Sequence, residues 1–354
     1  MNKKMYKMPF EGKKHDTIMI LPYREDTWRE GGKIAAKNFF EIINTIAKYE
    51  IVYVLKDQRV KYDITPILNN KNVKVLDIDY NDAWARDTSP IFMVDNNHGL
   101  IGLDFRFNAW GGNHDGLYSD YRLDDLVSRK VCEELKIENK YIEDFILEGG
   151  SIHTNGEGVI LTTEACLLSK GRNPQLSQKE IEDILKRYLN AEKVLWLPRG
   201  IYNDETNEHV DNVACFADEN TVLLAWTDDT SDPQYKLSKQ SYDYLVKNSD
   251  YKIIKVPIPT PMYLSKAEEE GLISNNDSIK ERNENDRLAG SYINFYMGDK
   301  YIILPKFNVK EDEIVLKQFK DIFKDKTIHQ IDSKEILLGG GNIHCITMQI
   351  PRRD

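Results

Sequence analysis

Apolar residues in this chain fall into short runs divided by charged or turn-forming residues, and the runs follow two periodicities. Those rich in β-branched and aromatic residues predict strands: "TIMILPY" from residue 17, "EIVYVL" from 50, "VKVLDID" from 73, "GVILTT" from 158, "VLWL" from 194, "TVLLAW" from 221, "SYINFYM" from 291 and "YIILP" from 301. Helical patterns stand between them. "GKIAAKNFFEIINTIAKY" places Ile34, Ala35, Phe39, Ile42, Ile43 and Ile46 on one stripe. "SQKEIEDILKRYL" opens with the Ser177-to-Glu180 spacing of a capping box ahead of Ile181, Ile184 and Leu185, and "EDEIVLKQFKDIF" predicts a further helix. Strands and helices alternate to the end with no low-complexity divide, which predicts an α/β fold and one domain over 1–354. The stretch 257–287 is proline-led, charged and too long for an ordinary connection, so it reads as a surface insertion or an active-site lid.

One phrase occurs twice. "LEGGSIHT" at 147–154 returns as "LLGGGNIHC" at 337–345, with Glu148 matched to Gly339 and Thr154 to Cys345; "AWGGNHDG" at 109–116 is a fainter version. In each full copy an apolar run enters glycines, which predicts a strand that ends where backbone approaches backbone or ligand closely. Similar β-containing units around a common axis would bring such strand ends to one point, each with a different chemical group.

Composition narrows the partners. A formal net charge of −10 argues against a polyanion such as nucleic acid and suits a cationic small substrate. The start, "MNKKMYKMPFEGKKHD", has lysines but no apolar core of a signal peptide, and no uninterrupted apolar run is long enough to span a membrane, so a cytosolic protein is expected. Cys132, Cys166, Cys215 and Cys345 are widely spaced without a C-x-x-C pair, which fits reduced thiols, any one of which could be a nucleophile.

Four stretches carry reactive side chains, three of them together with glycine or tryptophan: "AWARDTSP" at 83–90, "LEGGSIH" at 147–153 and "GGGNIHC" at 339–345, with "NEHVDN" at 207–212 the fourth. If "HVD" is extended, His209 and Asp211 share a face and address one ligand. Asp87 follows Arg86 in a turn-like stretch before Pro90, where a surface ion pair is the plain alternative. Glu148, at the end of the apolar run "FIL", is costly to bury without a donor and should be paired or functional. His344 should point away from Cys345 in extended chain, which makes it and its counterpart His153 hydrogen-bonded or packing residues.

From "MPFEGKKHD" and "YREDTWREGGKIA" through "AWARDTSP", "FNAWGG", "LEGGSIHTNGEGVILTTEACLLSKGRNP" and "RLAGSYINFY" to "GGGNIHCITMQIP", the chain resembles the agmatine deiminase family of the guanidine-modifying superfamily nearly end to end. The resemblance implies an α/β-propeller of the pentein type, with five pseudo-symmetric units around a central funnel, and a homo-oligomer. It also implies Cys345 as nucleophile, His209 as general acid and base, Glu148 as the carboxylate partner of His209, and Asp87 and Asp211 as the pair that grips a guanidinium. Where the family has Asp-Gly before His-x-Asp, this chain has Asn207 and Glu208. An added anion there would raise the pKa of His209, crowd the pocket or hold a cationic tail.

Such a site needs neither metal nor organic cofactor. Trp84 and Trp110 suit an aliphatic amine tail, with core packing the plain alternative, and no arginine stands out to receive an α-carboxylate; the resemblance implies agmatine as substrate. The alternatives are an arginine or peptidylarginine deiminase, an amidinotransferase, and a guanidine-binding protein without chemistry.

Overall fold

The computed structural model describes residues 6–97 and 99–352; the first five residues of the lysine-bearing start lie outside it. Five sheets of three or four strands account for its strands, and each repeats one arrangement. A first strand pairs antiparallel with a second, and a helical crossover carries the second to a parallel third. In chain order these sets are Ile91–Asp95, Leu100–Arg106 and Glu138–Ile146; Ile152–Thr154, Val159–Thr163 and Lys193–Leu197; Ala214–Asp218, Thr221–Trp226 and Lys252–Pro257; and Tyr296–Met297, Tyr301–Lys306 and Thr327–Asp332. The fifth set joins the two ends of the described chain: Thr347–Pro351 pairs antiparallel with His15–Ile20, which runs parallel to Val52–Lys56 and through it to Val73–Asp77.

The crossover helices form where the periodicity predicts them. Lys33–Ile46 buries Ala35, Ala36, Phe39, Ile42, Ile43 and Ile46, while Ile34 is half-buried. Each large apolar side chain so removed from water contributes about 1.5–3 kcal/mol. Gly32 precedes this helix at φ 82°, and a Cβ there would stand 2.2 Å from the Pro22 carbonyl oxygen, so only glycine fits the entry. Helix Gln178–Leu189 starts at Ser177 with both capping-box hydrogen bonds formed, and buries Ile181, Leu185 and Leu189. Helix Glu311–Ile322 buries Val315 and Phe319. Helices also link neighbouring sheets: Pro233–Asn248 rests on Lys193–Leu197, Glu311–Ile322 on Lys252–Pro257, and Lys33–Ile46 on Thr327–Asp332. No helix among the described residues is long and apolar enough to cross a membrane.

Three sequence expectations are corrected. Of "SYINFYM" only Tyr296–Met297 is strand; residues 291–295 form a turn in which Ser291 Oγ accepts the Ile293 amide at 3.1 Å. The apolar run into the later glycine phrase is helix Lys334–Leu338, whereas the earlier copy does follow a strand, Glu138–Ile146. "HVD" is not extended: His209 stands directly before the short helix Val210–Val213, which contains Asp211.

The 257–287 stretch is a largely irregular surface insertion with one short helix, Lys266–Glu269. Its second half crosses the region where the glycine phrase and residue 117 meet. The Ile279 amide donates to the Leu117 carbonyl at 2.9 Å, and Arg282 Nη2 donates to the Gly339 carbonyl at 2.8 Å.

Candidate active site

Each of the five sheets is preceded by a short turn or single-turn helix that enters its first strand, and each such segment supplies a polar group to one place. Ala85–Thr88 carries Asp87; Glu148 leads into Gly149–Ser151; Val210–Val213 and the residue before it carry Asp211 and His209; the turn before Tyr296 carries Asn294; and the turn before Thr347 carries Cys345. A side chain at the start of a sheet's first strand projects past the sheet end, so five equivalent positions converge without any long loop.

Gly150 marks the point of convergence. A Cβ on it would lie 2.6 Å from His209 Nδ1, 2.8 Å from Asp87 Oδ1 and 3.0 Å from Asp211 Oδ2. Its bare amide instead donates to Asp87 Oδ1 at 2.9 Å, and Trp110 Nε1 donates to Asp87 Oδ2 at 2.9 Å. Asp87 is therefore no surface residue, and neither is Arg86, which is buried and paired with Glu11 at 3.0 Å. Cys345 Sγ lies 3.3 Å from Asn294 Oδ1 and 3.7 Å from Asp211 Oδ2. Asn294 Oδ1 also accepts the amides of His344 at 3.0 Å and Cys345 at 3.3 Å, which fixes the turn that aims the thiol.

A narrow pocket opens onto these groups, lined by Cys345, His209, Asp87, Trp84, Trp110, Glu205 and the three glycines 339–341. A Cβ on Gly341 would meet the Trp84 ring at 2.4 Å, so the glycine phrase lets the indole lie flat against the backbone beside the sulfur. Trp84 is anchored through its Nε1, which donates to Asp82 at 3.0 Å.

The charges oppose one another in this space. His209 has Nε2 3.7 Å from Glu148 and Nδ1 3.9 Å from Asp87. Burial works against its charge, yet Asp87, Cys166 and Glu148 keep its pKa well above the ordinary imidazole range. Burial would raise Glu148, but Arg172, 2.7 Å away through Nε, and His209 bring it down to about 2. Burial, with the charges of Asp211 and Glu148, lifts Asp87 to about 6 despite His209. Burial and the same kind of neighbour, Asp211 and Asp87, push the Cys345 thiol well up. Burial and these two carboxylates thus disfavour the thiolate, and a cation held between Asp87 and Asp211 would oppose them.

Six of the residues singled out in the sequence stand here: Cys345, His209, Asp87 and Trp84 line the pocket, with Glu148 behind the imidazole and Asp211 beside the sulfur, whereas Cys132 and Cys215 lie outside it. His344 is hydrogen-bonded, as expected, through Nδ1 to Asp211 at 2.8 Å and Nε2 to Glu11 at 3.1 Å; His153 faces Glu11 at 3.6 Å. Glu208 overturns its expectation. Its carboxylate turns away to Arg199 Nε at 2.9 Å and the Gly200 amide at 2.6 Å, and it neither lines the pocket nor faces His209. Asn207 and Glu208 both adopt positive φ, 63° and 66°, and this twist sends the carboxylate outward.

Sequence reading missed Asn294, Arg172 and Glu205. Asn294 was hidden in a strand-like alternation, and Arg172 sits in a turn-like "GRNP" with no local partner. Glu205 was one acid among several in "NDETNEH". Two donor sets have metal-ligand spacing, Glu148 with Cys166 and His209, and Glu11 with His153 and His344. Each carboxylate already faces a guanidinium, Arg172 or Arg86, so the charge a metal would supply is in place.

Residues 7–351 match the model of the Porphyromonas-type peptidyl-arginine deiminase family. The chain is 46% identical over 98% of its length, and 96% of the other's, to a Latilactobacillus sakei protein named "Putative agmatine deiminase". Among solved structures it superposes on the agmatine deiminase of Enterococcus faecalis with a TM-score of 0.90 at 37% identity, covering 99% of this chain and 96% of that one. A cysteine-to-serine variant of the C. jejuni agmatine deiminase with substrate bound gives 0.87 at 29% identity, covering 100% and 98%. The matches run through every one of the five turns that build the pocket, and the chain belongs to the Porphyromonas-type peptidyl-arginine deiminase family.

Proposed function

We propose that the protein hydrolyses agmatine to N-carbamoylputrescine and ammonia through a covalent intermediate on Cys345. The observation that carries this is the meeting of a buried thiol, an imidazole and the two carboxylates Asp87 and Asp211 around one pocket. A guanidinium is planar and permanently charged, hence a poor electrophile, so it must be held and neutralised before attack. Asp87 and Asp211 accept its N–H donors and set its central carbon over the sulfur. A cation held beside the sulfur favours the thiolate over the thiol, against the pull of burial and the two carboxylates. Substrate itself thereby releases the thiol proton.

Attack by the Cys345 thiolate forms the S–C bond and a tetrahedral adduct. His209, charged in the resting pocket, gives its proton to the departing nitrogen; the C–N bond breaks, ammonia leaves, and an S-alkylthiouronium remains. Neutral His209 then takes a proton from water, and the hydroxide adds to the same carbon. Collapse breaks the S–C bond to return the thiolate, while the added hydroxyl loses its proton to solvent, where ammonia takes one up, and the neutral ureido product leaves. Glu148 steadies the imidazolium at each turn. Asn294 supports the turn that carries the sulfur.

The same residues favour agmatine over arginine. Among the described residues, no lysine or arginine lines the pocket, while Glu205 and the two indoles do. The two cations beside Glu205 are both paired with it, Arg282 at 2.6 Å and Lys280 at 3.5 Å, and Arg282 is bonded further to the Asp26 and Gly339 carbonyls. An α-carboxylate therefore finds acid and aromatic surface in place of a cation, and a peptide-borne arginine would have to displace the insertion at Ile279 and Arg282. Five like-connected sheets, linked helix to sheet and closed by the terminal strands, also support one pseudo-symmetric five-unit propeller domain with this pocket as its funnel.

The test is a comparison of ammonia and ureido product from agmatine, free arginine and an N- and C-blocked arginine peptide, run with wild type and Cys345→Ser. Agmatine should lead by about a hundredfold or more in kcat/KM, the scale set by leaving one buried charge unmatched. Equal turnover of the peptide would overturn the assignment.

A further inference from the structure

Arg172 has no role in the mechanism above, yet it is the most heavily engaged side chain near it. It is buried and ion-paired through Nε with Glu148 at 2.7 Å, while Nη1 donates to the Trp110 carbonyl and, at 2.8 Å, to Asn207 Oδ1, and Nη2 donates to the Thr206 carbonyl at 2.9 Å. Each partner supports a different working group. Trp110 donates to Asp87, Glu148 faces His209, and Thr206 accepts the His209 amide through Oγ1 at 3.4 Å. One planar cation therefore ties the first, second and third sheets of the repeat together around the imidazole.

We infer that Arg172 is a positioning residue for His209: it clamps the Glu148 carboxylate on one side and the 206–207 turn on the other, so that the ring stays within reach of both the sulfur and the departing nitrogen. The inference rests on the deiminase reading and adds to it a residue that touches neither substrate nor sulfur. The loose fit of His209 makes the clamp necessary. With both ring nitrogens beyond ordinary hydrogen-bond distance of the carboxylates, direct bonds do not hold the ring, and its walls must. A lysine can replace only the charge, because an ammonium is a point donor, whereas the Glu148 carboxylate and the three hydrogen-bond acceptors lie around a planar fork. Arg172 also supplies the opposing charge that keeps Glu148 ionised in a fully buried place.

The experiment uses Arg172→Gln, Arg172→Lys, Glu148→Gln and the Arg172→Gln/Glu148→Gln double variant. All are assayed on whichever guanidine the wild type turns over fastest, so that a wrong substrate assignment is seen first and separately. Arg172→Gln should lower kcat about a hundredfold with KM changed by less than about fivefold, as expected for a group acting through the proton-transfer residue. Its kcat should also acquire an acid limb at least about one pH unit above the wild type's, because Glu148 without its cation titrates higher. Arg172→Lys should restore the limb and leave kcat about tenfold low. In the Glu148→Gln background the same Arg172→Gln change should cost less than about tenfold, since its partner is already gone.

A folded Arg172→Gln with wild-type kcat overturns the inference. So does a full multiplicative loss in the Glu148→Gln background with an unmoved limb, which is what a merely structural arginine would give. If Arg172→Gln does not fold, the double variant, which leaves no buried charge unpaired, and Arg172→Lys decide the question by the same two readouts.

Discussion

The pocket and the cluster beside it each hold a buried imidazole between carboxylates, built to different tolerances. His344 is gripped, with Nδ1 2.8 Å from Asp211 and Nε2 3.1 Å from Glu11, and Glu11 is shared further with Arg86 and His153. His209 has its carboxylates at 3.7 and 3.9 Å. A ring bonded at both nitrogens is a strut: its protons have nowhere better to go. A ring held by its surroundings but unbonded at its nitrogens can give a proton and take one back. The two sites are chemically alike, and a difference of about one ångström separates scaffold from working part.

The comparison can be broken or sharpened in order of effect. Cys345→Ala should reduce ammonia release to background while agmatine still binds, and intact mass spectrometry should find no adduct; near-normal turnover would remove the pocket from the chemistry altogether. His209→Asn should lower kcat by about 10²–10⁴, the range for a general acid and base, with little loss of folded protein. A change confined to stability would exchange the roles of the two histidines.

Glu11→Gln should do the reverse. Burial opposes the charge of Glu11, but His344, Arg86 and His153 hold its pKa well below 4.5, the unfolded value. Such a depressed group adds stability that is complete above the unfolded pKa and is lost as pH falls through the folded one. Denaturant unfolding should therefore show a loss of about 3–5 kcal/mol at pH 7, the usual penalty for breaking a buried pair. That gap should narrow as pH drops below about 4.5, and activity per folded molecule should stay within about tenfold. The smallest effect is expected of Glu208→Gly, whose carboxylate faces Arg199 and not the pocket: kcat and KM should both stay within about twofold, inside the range of surface changes. A pH optimum displaced by that substitution would bring the residue back to the imidazole.

Much of this was legible in the sequence, for identifiable reasons. Helices Lys33–Ile46 and Gln178–Leu189 show because a buried stripe and a capping box are local properties. Asp87, Glu148 and Cys345 show because each lies in a stretch marked by glycine, tryptophan or proline, and His209 and Asp211 because a histidine and an acid stand two apart. Conformation was less readable than chemistry. His209 and Asp211 do address one place, but from a helical turn instead of an extended strand, because His209 precedes the single turn Val210–Val213. The two glycine phrases do lead into equivalent strands, though one follows a strand and the other a helix. Arg172 and Asn294 stayed hidden because their partners lie in other sheets: nothing within reach along the chain tells a clamp from a surface arginine, or a turn asparagine from a strand residue.

The seam between Thr347–Pro351 and His15–Ile20 has a consequence for assembly. It pairs the two most distant stretches of the described chain, and the sulfur sits two residues ahead of it. Closing so long a loop carries the greatest entropic penalty of any pairing here, so it is favoured only once the other sheets have brought the ends together. A half-assembled molecule can thus gather its acids and imidazole while the reactive atom still dangles, and the catalyst is armed by the stitch that closes the ring.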